Sequence, residues 1–379
     1  MYSLQGYGNM IADAVRTDAY AAALRDAVRP GSVVVDIGTG PGLFAILACR
    51  FGARRVIAIE SGDIIEVARR VALANGCADR IEFVHADSRS VEIGERADVV
   101  VADLHGVLPY FGRSLETMKD AHTRFLARDG VMIPARETIL AACIEAPELH
   151  SPVTSPWSDN KYELDMHAAR ALAANQWRRA VVLPEQLVGP PHPCGTIDYS
   201  SIDSEHFEAQ VPLAVERTAS GHGLCLWFDS TLYPGIEIHG GPGVPGLIYG
   251  SAFFPWPEAV ALAPGDLIEA RVGARLMRGD YLWTWETRVM RGTHELARFR
   301  QSDFFSEPLE PGALRRQSAT YVPRLSEEGH IAAYVLALMS QEVALVDIAR
   351  RLSERYPEKY PRWRDALTLV GDFSKRYST

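Results

Sequence analysis

A short β-branched run that leads directly into three closely spaced glycines constrains the fold more than any other feature of the chain. The run is Val33-Val34-Val35-Asp36-Ile37, and Gly38-Thr39-Gly40-Pro41-Gly42 follows it. Glycine adopts positive φ without steric cost and lets the backbone approach a ligand that a Cβ would exclude. In open α/β sheets, a strand that enters such a turn before a helix binds a nucleotide-type ligand. The sequence therefore predicts a ligand of this type at the turn.

Similar short apolar runs recur after the glycine-rich turn, for example at residues 56–59 and 81–84. Segments with helical periodicity lie between them, at residues 43–51 and 64–75. Brief β-branched runs are typical of strands buried on both faces of a parallel sheet. The alternation predicts a doubly wound, Rossmann-like α/β domain, which we assign with its preceding helix to residues 1–135.

The pattern changes after residue 135. Aromatic and β-branched runs then recur between prolines and glycines, at residues 224–232, 246–254, 267–272 and 281–289. Short strands separated by turn residues predict an antiparallel β domain, a sandwich or a barrel, which we assign to residues 136–325.

The last part of the chain, residues 326–379, has helical periodicity again. Three short segments each carry an apolar face, which predicts a small helical module. Residues 331–377 resemble the winged-helix or leader-peptide-recognition modules of bacterial peptide-modifying systems. That resemblance implies a docked peptide or protein; a plain packing element at the end of the chain is the alternative.

Charge and composition narrow the classes of partner. The chain has 379 residues, with 39 Lys and Arg against 48 Asp and Glu and a formal net charge of −9. A mildly acidic surface is not attracted to phosphate backbones or anionic lipid, so we expect neither nucleic acid nor a membrane as partner. The sequence also has no apolar run of the roughly 18 residues that a membrane span needs.

Cysteine usage indicates the compartment. The five cysteines are widely spaced and form no C-x-x-C pair. We therefore expect reduced thiols rather than disulfides, and no metal site. The first 16 residues lack the basic start and apolar core of a secretion signal. These observations predict a cytoplasmic protein that acts on a small molecule, a peptide or a protein.

Acidic residues follow the glycine-rich turn where a nucleoside would need them. Glu60 ends the second predicted strand, where a carboxylate can accept hydrogen bonds from both ribose hydroxyls. Asp87 and Ser88 follow the third strand, where an adenine edge would lie. No Gly-Lys-Ser/Thr sequence follows the turn, which excludes a phosphate-binding P-loop. The pattern resembles that of class I S-adenosylmethionine-dependent methyltransferases, which implies S-adenosyl-L-methionine as cofactor and S-adenosyl-L-homocysteine as product.

Several segments narrow this resemblance. Residues 9–17, N-M-I-A-D-A-V-R-T, are similar to the M-L-x-D-x-V-R-T helix of the protein arginine methyltransferase family. Residues 125–134 match the family as well, and the similarity extends from about residue 7 to residue 300. The chain resembles a divergent, bacterial-type member. The resemblance implies a β-barrel after the Rossmann-like domain and a homodimer formed through an arm, for which residues 165–193 are the candidate.

The resemblance also implies roles for residues around the turn. Arg16 would hold the carboxylate of the cofactor, although a solvated helix charge is the alternative for this arginine. Asp36 and the glycines would contact the methionine end, and Glu60 the ribose. The full set of expected cofactor-binding residues is Met10, Arg16, Asp36, Gly38, Thr39, Gly40, Gly42, Leu43, Glu60, Ser61, Asp87, Ser88 and Asp103.

The loop after the fourth predicted strand departs from the family. Arginine methyltransferases hold the guanidinium between two glutamates in the pattern S-E-W-M-G-Y-x-x-x-Y-E. Here residues 102–112 read A-D-L-H-G-V-L-P-Y-F-G, so Asp103 replaces the first glutamate and Gly112 the second, with Arg113 beside it. The histidine of the family's T-H-W motif is replaced by Ile248. A single short carboxylate beside a cation binds guanidinium poorly, because a buried cation needs paired charge.

Three residues of this loop are candidates for the acceptor chemistry. Asp103 lies where the family keeps its first carboxylate, and His105 would be a general base with a pKa near neutrality. A histidine that is simply hydrogen-bonded within the loop is the alternative for His105. Tyr110 could contact the acceptor or pack within the loop. Glu116 could replace the lost glutamate, or be a solvated helix charge.

The sequence thus favours an S-adenosylmethionine-dependent methyltransferase that methylates a nitrogen of a small-molecule or peptide acceptor other than ordinary protein arginine. Two alternatives remain open: a guanidine methyltransferase with a remodelled clamp, and a non-catalytic scaffold that binds the cofactor. The intact glycine-rich turn and Glu60 count against a scaffold, because a scaffold does not need a ribose acceptor.

Overall fold

The computed structural model of the chain describes residues 3–202, 204–244 and 247–378. These residues form two compact units that divide between Pro308 and Leu309.

The first unit begins with a parallel five-stranded sheet, as predicted. Its strands lie in the order β3-β2-β1-β4-β5, and every neighbouring pair is parallel. The strands are β1 (Val33–Ile37), β2 (Arg55–Glu60), β3 (Ile81–His85), β4 (Ala97–Ala102) and β5 (Leu126–Ile133). The helices around them are α1 (Leu4–Ala12), α2 (Ala14–Ala27), α3 (Leu43–Arg50), α4 (Ile65–Ala74) and α5 (Ser114–Arg124).

Strand β1 is the topological switch point of this sheet. All five of its residues are buried, and it pairs with β2 on one side and with β4 on the other. The chain order therefore runs outward in both directions from β1, which opens a crevice at the carboxyl ends of the strands. Ile37, Glu60 and Ala102 end their strands at this edge.

Two antiparallel sheets follow, which confirms the predicted antiparallel β domain. One has the order β7-β12-β10-β6-β8 with β11 beside β10, and the other has the order β15-β14-β13-β9. The strands are β6 (Arg136–Ile144), β7 (Arg178–Ala180), β8 (His192–Asp198), β9 (Phe207–Ala214), β10 (Ala219–Tyr233), β11 (Ile236–His239), β12 (Ser251–Leu262), β13 (Leu267–Met277), β14 (Asp280–Arg291) and β15 (His294–Ser302). Gly246, the first residue of one predicted run, lies outside the described residues.

Aromatic side chains fill the space between the sheets. Trp256, Trp283 and Phe254 are almost fully buried, and the rings of Phe254 and Trp283 lie 5.5 Å apart. The same apolar cluster extends to Val100 on β4 of the parallel sheet. The two sheet systems of the first unit therefore share a continuous core.

The candidate arm coincides only in part with the helical segment that follows β6. Helices α6 (Pro147–Ser158) and α7 (His167–Ala173) precede β7, which pairs with β12. The candidate range, residues 165–193, therefore contains α7 and the sheet strand β7, and it ends at the start of β8. Helix α6 lies before the candidate range, and its sequence lacks a recognisable helical pattern because it contains Pro152 and Pro156.

The second unit is helical. It contains α8 (Pro311–Arg316), α9 (Glu327–Met339), α10 (Leu345–Arg355) and α11 (Trp363–Tyr377). Val335, Ile348, Leu352 and Val370 are fully buried and form its core. The described part of this unit, residues 309–378, has no strand.

Three short 3-10 helices lie in the first unit, at Ser88–Ser90, Pro184–Gln186 and Asp303–Phe305. Within the described ranges, no helix is long and apolar enough to cross a bilayer. The same residues contain no cluster of His, Cys, Asp and Glu side chains that could hold a metal ion.

Candidate functional site

A cleft of about 620 Å³ lies at the carboxyl edge of the parallel sheet. A smaller cavity of about 40 Å³ adjoins the glycine-rich turn. Both include Tyr7, Met10, Gly38 and Asp103 among their lining residues. The expected cofactor-binding residues that line one or both are Met10, Arg16, Gly38, Thr39, Gly40, Leu43, Glu60, Ser61, Asp87, Ser88 and Asp103. Asp36 and Gly42 do not line either cavity, and they lie in the strand and turn that support it.

The turn forms a cradle that only glycine permits. Gly38 and Gly40 have φ of +71° and +53°. A Cβ on Gly38 would lie 2.8 Å from Leu104 Cδ2, and a Cβ on Gly40 would lie 2.8 Å from Tyr7 Cε1. Tyr7 belongs to α1, so the first helix closes over the turn. The two glycines therefore let the side chains of Leu104 and Tyr7 pack directly against the backbone of the turn, at the edge of the cleft.

Glu60 points its carboxylate at the turn. One oxygen accepts a hydrogen bond from the Gly40 amide at 3.1 Å, and the other accepts one from the Gly62 amide at 2.8 Å. These two hydrogen bonds orient the carboxylate at the end of β2. A carboxylate in this place, one β-α unit after a glycine-rich turn, is the usual acceptor for ribose hydroxyls.

Asp36 is on β1, directly before the turn, and stabilises the turn through a hydrogen bond. It is buried, and Thr39 donates a hydrogen bond from its hydroxyl to the carboxylate at 2.6 Å. Burial raises the pKa of Asp36 to about 7, although the Thr39 hydrogen bond opposes that shift.

Asp87 is also a lining residue of the cleft. Its carboxylate pairs with Arg89 and caps the short helix at Ser88–Ser90. The hydrogen bonds from Arg89 lower the pKa of Asp87 to about 2. Ser88 is buried beside it.

Four charged side chains form a buried chain of alternating sign beside the cleft. Arg16 pairs with Asp103 Oδ2, and the other oxygen of Asp103 lies 3.0 Å from His105 Nδ1. His105 Nε2 lies 2.6 Å from Glu137, which is fully buried. We call these four residues, Arg16, Asp103, His105 and Glu137, the charge relay. Its formal charges cancel when His105 is protonated, so each buried charge has an opposite neighbour.

Two tyrosines complete the contacts of the charge relay. Tyr249 donates a hydrogen bond from its hydroxyl to Asp103 at 3.0 Å. Tyr199 donates one to Glu137 at 2.6 Å. The carboxylates therefore have few lone pairs left for an incoming group.

The charge relay shifts the pKa values of its members. Burial alone would lower the pKa of His105, but Glu137 and Asp103 outweigh burial and raise it to about 10. Burial alone would raise the pKa of Asp103, but Arg16 and His105 lower it to about 2. Arg16 also has a raised pKa, since the attraction of Asp103 outweighs burial.

His105 therefore differs from the general base expected from sequence. A base with a pKa near neutrality needs a free nitrogen, whereas both ring nitrogens of His105 face carboxylates and the ring is an imidazolium at neutral pH. Arg16 is also not a solvated helix charge, because it is 5% exposed and donates to Asp103 and to the Met10 carbonyl.

Residues of the site that the sequence analysis missed include Tyr7, Glu137 and Tyr249. Glu137 had a detectable signal, because it alternates with the inward-facing Ile139 on β6 and so lies on the buried face of the strand. Tyr249 adjoins the position aligned with the family's T-H-W histidine. Tyr7 had no such signal.

A second cavity, of about 560 Å³, opens beside the cleft. It shares Met10, His105 and Phe111 with the cleft. Its lining includes the aromatic residues Tyr110, Phe111, Trp177, Tyr249, Tyr281 and Trp283, together with the charged residues Arg179, Asp280 and Asp303. We call it the aromatic cavity. A ligand in the cleft and a group in the aromatic cavity would meet beside the charge relay.

Tyr110 is part of this aromatic wall. Its ring lies 5.4 Å from that of Tyr281 and 6.2 Å from that of Trp283, both edge to face. Burial raises the pKa of Tyr110 to about 12, so its phenol stays protonated.

The position of the family's second glutamate offers no carboxylate. Gly112 has φ +51° and open space where a side chain would begin. The neighbouring Arg113 pairs with Glu116, which also lies 3.2 Å from Arg89. Glu116 lines neither the cleft nor the aromatic cavity, so it does not replace the lost glutamate.

Solved structures identify the architecture. The Trypanosoma brucei PRMT1 enzyme–prozyme heterotetrameric complex with AdoHcy aligns with a TM-score of 0.71 at 19% identity, over 78% of this chain and 96% of that chain. Arabidopsis thaliana protein arginine methyltransferase 10 aligns with a TM-score of 0.70 at 19% identity, over 79% and 97%. The chain has the protein arginine methyltransferase fold.

Sequence comparisons agree with this fold. "Probable protein arginine N-methyltransferase 6" of Arabidopsis thaliana is 30% identical over 231 residues, 58% of this chain and 52% of the relative. "Probable histone-arginine methyltransferase CARM1" of Oryza sativa subsp. indica is 31% identical over 244 residues, 61% and 46%. The chain spans about half the length of these relatives. The profile of the "Ribosomal protein L11 methyltransferase (PrmA)" family matches residues 17–138. The predicted resemblance to protein arginine methyltransferases is confirmed.

Proposed function

We propose that the chain is an S-adenosylmethionine-dependent methyltransferase. The observation that carries the proposal is the junction of two cavities: a cleft with a glycine cradle and Glu60, and the aromatic cavity that meets it at Met10, His105 and Phe111. A sulfonium cofactor supplies an electrophilic methyl group at such a junction. The AdoHcy named in the Trypanosoma brucei complex, which shares this fold, supports the choice of cofactor.

The residues of the cleft fit S-adenosylmethionine by chemistry and by space. Glu60 would hold the ribose hydroxyls, and Asp87 with Ser88 would face the adenine. Gly38 and Gly40, which line the smaller cavity, would contact the methionine end. Other contacts in this assignment are Met10, Thr39, Leu43 and Ser61, with Asp36 and Gly42 supporting the turn.

Arg16 would hold the carboxylate of the cofactor while still paired with Asp103. Its guanidinium has five N–H donors, of which Asp103 and the Met10 carbonyl use three. Asp103 would then orient Arg16 rather than bind the acceptor directly.

We propose that the acceptor is a nitrogen of a small-molecule or peptide group other than ordinary protein arginine. In a guanidinium clamp, two carboxylates face an incoming cation. Here both carboxylates near the junction, Asp103 and Glu137, already hold the cation of His105. A guanidinium that reached the junction would therefore meet a neutralised network there and would gain no paired charge from it.

A guanidine methyltransferase with a remodelled clamp is the second candidate, and the names of the curated relatives favour it. A non-catalytic scaffold is the third. Labelled S-adenosylmethionine offered with an arginine-rich peptide separates them. The proposal expects S-adenosylhomocysteine binding but no methylarginine, whereas methylarginine would favour the second candidate. Cofactor binding without transfer to any nitrogen acceptor would favour the scaffold. Gly40→Val, which places a side chain in the glycine-rich turn, is the control: a signal that depends on the bound cofactor should be absent in this variant.

We further propose a homodimer in the cytoplasm. Tyr162 and Leu164, between α6 and α7, are 69% and 58% exposed, so this segment carries apolar surface that a second copy could cover. All five cysteines are free thiols, which fits a reducing compartment. The acidic net charge of −9 favours small-molecule, peptide or protein partners over nucleic acid and membranes.

A further inference from the structure

Among the described residues that line the aromatic cavity, none is a base strong enough to deprotonate an alkylammonium or a guanidinium. His105 lines it as an imidazolium with both nitrogens paired. Arg179 also lines it, and donates to the carbonyls of Ile248 and Tyr249. Among the described lining residues, the carboxylates are Asp280 and Asp303. Burial raises the pKa of Asp303 to about 6, which is still far below that of an alkylammonium, about 10.4, or a guanidinium, above about 12.

Nucleophilic nitrogens differ in the charge they carry at neutral pH. Alkylamines and guanidines are protonated and must lose a proton before they can attack, whereas an imidazole ring, with a pKa of about 6.5, is largely neutral. A site without a strong base therefore selects for a nitrogen whose lone pair is already free.

Tyr281 supplies an independent indication of a polar ligand. The side chain lies in the cavity wall, and the residue is 7% exposed. Its hydroxyl oxygen is buried and has no hydrogen-bond partner among the described residues. A buried hydroxyl without a partner is costly, so such a group in a cavity wall calls for a ligand that completes it.

The wall of the aromatic cavity offers ring surface to a ligand. Tyr110, Tyr281 and Trp283 present ring edges and faces to one another at 5.4 to 6.2 Å. An aromatic ring packs against such walls in offset or edge-to-face geometry.

We propose that the acceptor group is the neutral ring nitrogen of an imidazole, and that the hydroxyl of Tyr281 holds this ring by a hydrogen bond. The inference rests on the proposed function, since the methyl donor is the sulfonium cofactor. The ring nitrogen forms the new bond to the methyl carbon as the carbon–sulfur bond breaks and leaves its electron pair on sulfur. The positive charge passes to the ring, whose second nitrogen then releases its proton to Asp303 or to water.

Binding measurements with S-adenosylhomocysteine at saturation test this assignment. The probes are N-acetyl-L-histidine methylamide, N-acetyl-L-lysine methylamide and N-acetyl-L-arginine methylamide. Trp177 and Trp283 line the cavity, so quenching of tryptophan fluorescence reports occupancy. The histidine probe should bind, and the other two should not. Tyr281→Phe should weaken the histidine probe about 5-fold, because one hydrogen bond is lost. Tyr321→Phe, a change at an exposed tyrosine of the second unit, is the matched control and should leave the affinity unchanged.

The affinity for S-adenosylhomocysteine distinguishes failure of this inference from failure of the proposed function. Wild-type protein that binds S-adenosylhomocysteine but not the histidine probe would overturn the imidazole assignment alone. Equal binding by Tyr281→Phe, or tighter binding of the arginine probe, would overturn it as well. Wild-type protein that does not bind S-adenosylhomocysteine would overturn the proposed function and this inference together.

Discussion

His105 Nε2 lies 2.6 Å from a carboxylate oxygen of Glu137, and both side chains are at least 95% buried. The contact joins the loop after β4 to β6, and so links the parallel sheet to the antiparallel region. Through Asp103 it also reaches Arg16 on α2. The pair thus connects the loop after β4, β6 and α2, the elements that meet where the cleft opens into the aromatic cavity.

Removal of the Glu137 charge should destabilise the first unit. Glu137→Gln leaves His105 buried with one partner, and loss of one member of a buried ion pair costs about 3–5 kcal/mol. Denaturant unfolding measures this loss. Glu116→Gln, which removes a partly exposed pair with Arg113, should cost less than about 1 kcal/mol and serves as the control. Equal losses in the two variants would contradict the buried charge relay.

The imidazole of His105 should titrate far above an ordinary histidine. Its pKa is raised to about 10, so the stability it contributes is fully present below about 6.5, the unfolded value, and is lost as the pH rises toward 10. Nitrogen-15 chemical shifts of the imidazole ring measure the titration directly. A His105 ring that loses its proton near pH 6.5 would show that the carboxylates do not hold the charge.

The stability that Asp103 contributes depends on pH in the opposite direction to that of His105. Its pKa is lowered to about 2, so the stability it contributes is present above about 3.8 and is lost as the pH falls toward 2. Asp103→Asn should therefore make the stability of the first unit fall less steeply as the pH is lowered. Circular dichroism measured against pH follows this acid transition. An unchanged acid transition would mean that Asp103 carries no such charge in the folded protein.

Glu60 should contribute to the binding of S-adenosylhomocysteine through its charge. Glu60→Gln replaces charge-assisted hydrogen bonds to the ribose by neutral ones, which should weaken binding about 10-fold. Glu66→Gln, on the exposed side of α4, is the matched control and should bind as the wild type does. Calorimetric titration compares the two. Equal affinity in both variants would place the ribose elsewhere.

The segment between α6 and α7 should mediate self-association. Tyr162→Ser combined with Leu164→Ser removes exposed apolar surface and should convert a dimer to a monomer, as measured by light scattering. Met277→Ser changes an apolar residue of similar exposure, 53%, at the end of β13 and should leave the mass unchanged. A wild-type monomer would contradict the proposed homodimer.

The parallel sheet was predictable because its signals are local. β1 and its turn are contiguous in sequence, and the β-branched runs of β2 and β3 are short and separated by helical segments. Glu60 was identifiable for the same reason, since it ends a strand one β-α unit after the glycines. These features depend on backbone propensity and strand order, which the sequence records directly.

The charge relay was not predictable because its contacts are distant in sequence. Arg16 and Asp103 are 87 residues apart, and Glu137 reaches His105 from a strand of the antiparallel region. Whether His105 is a neutral base or a paired cation depends on those tertiary contacts. Helix α6 was obscured for a different reason, since Pro152 and Pro156 interrupt its pattern.

Binding of S-adenosylhomocysteine to a cradle variant tests the central claim most directly. Gly40→Val places a side chain where Tyr7 leaves only 2.8 Å, whereas Gly76→Val has the same kind of positive φ but nothing within 4 Å. In calorimetric titration, the wild type and Gly76→Val should bind in the micromolar range, and Gly40→Val should not bind. Absence of binding by folded wild-type protein, or equal binding by both variants, would contradict a methyltransferase cofactor site at this turn.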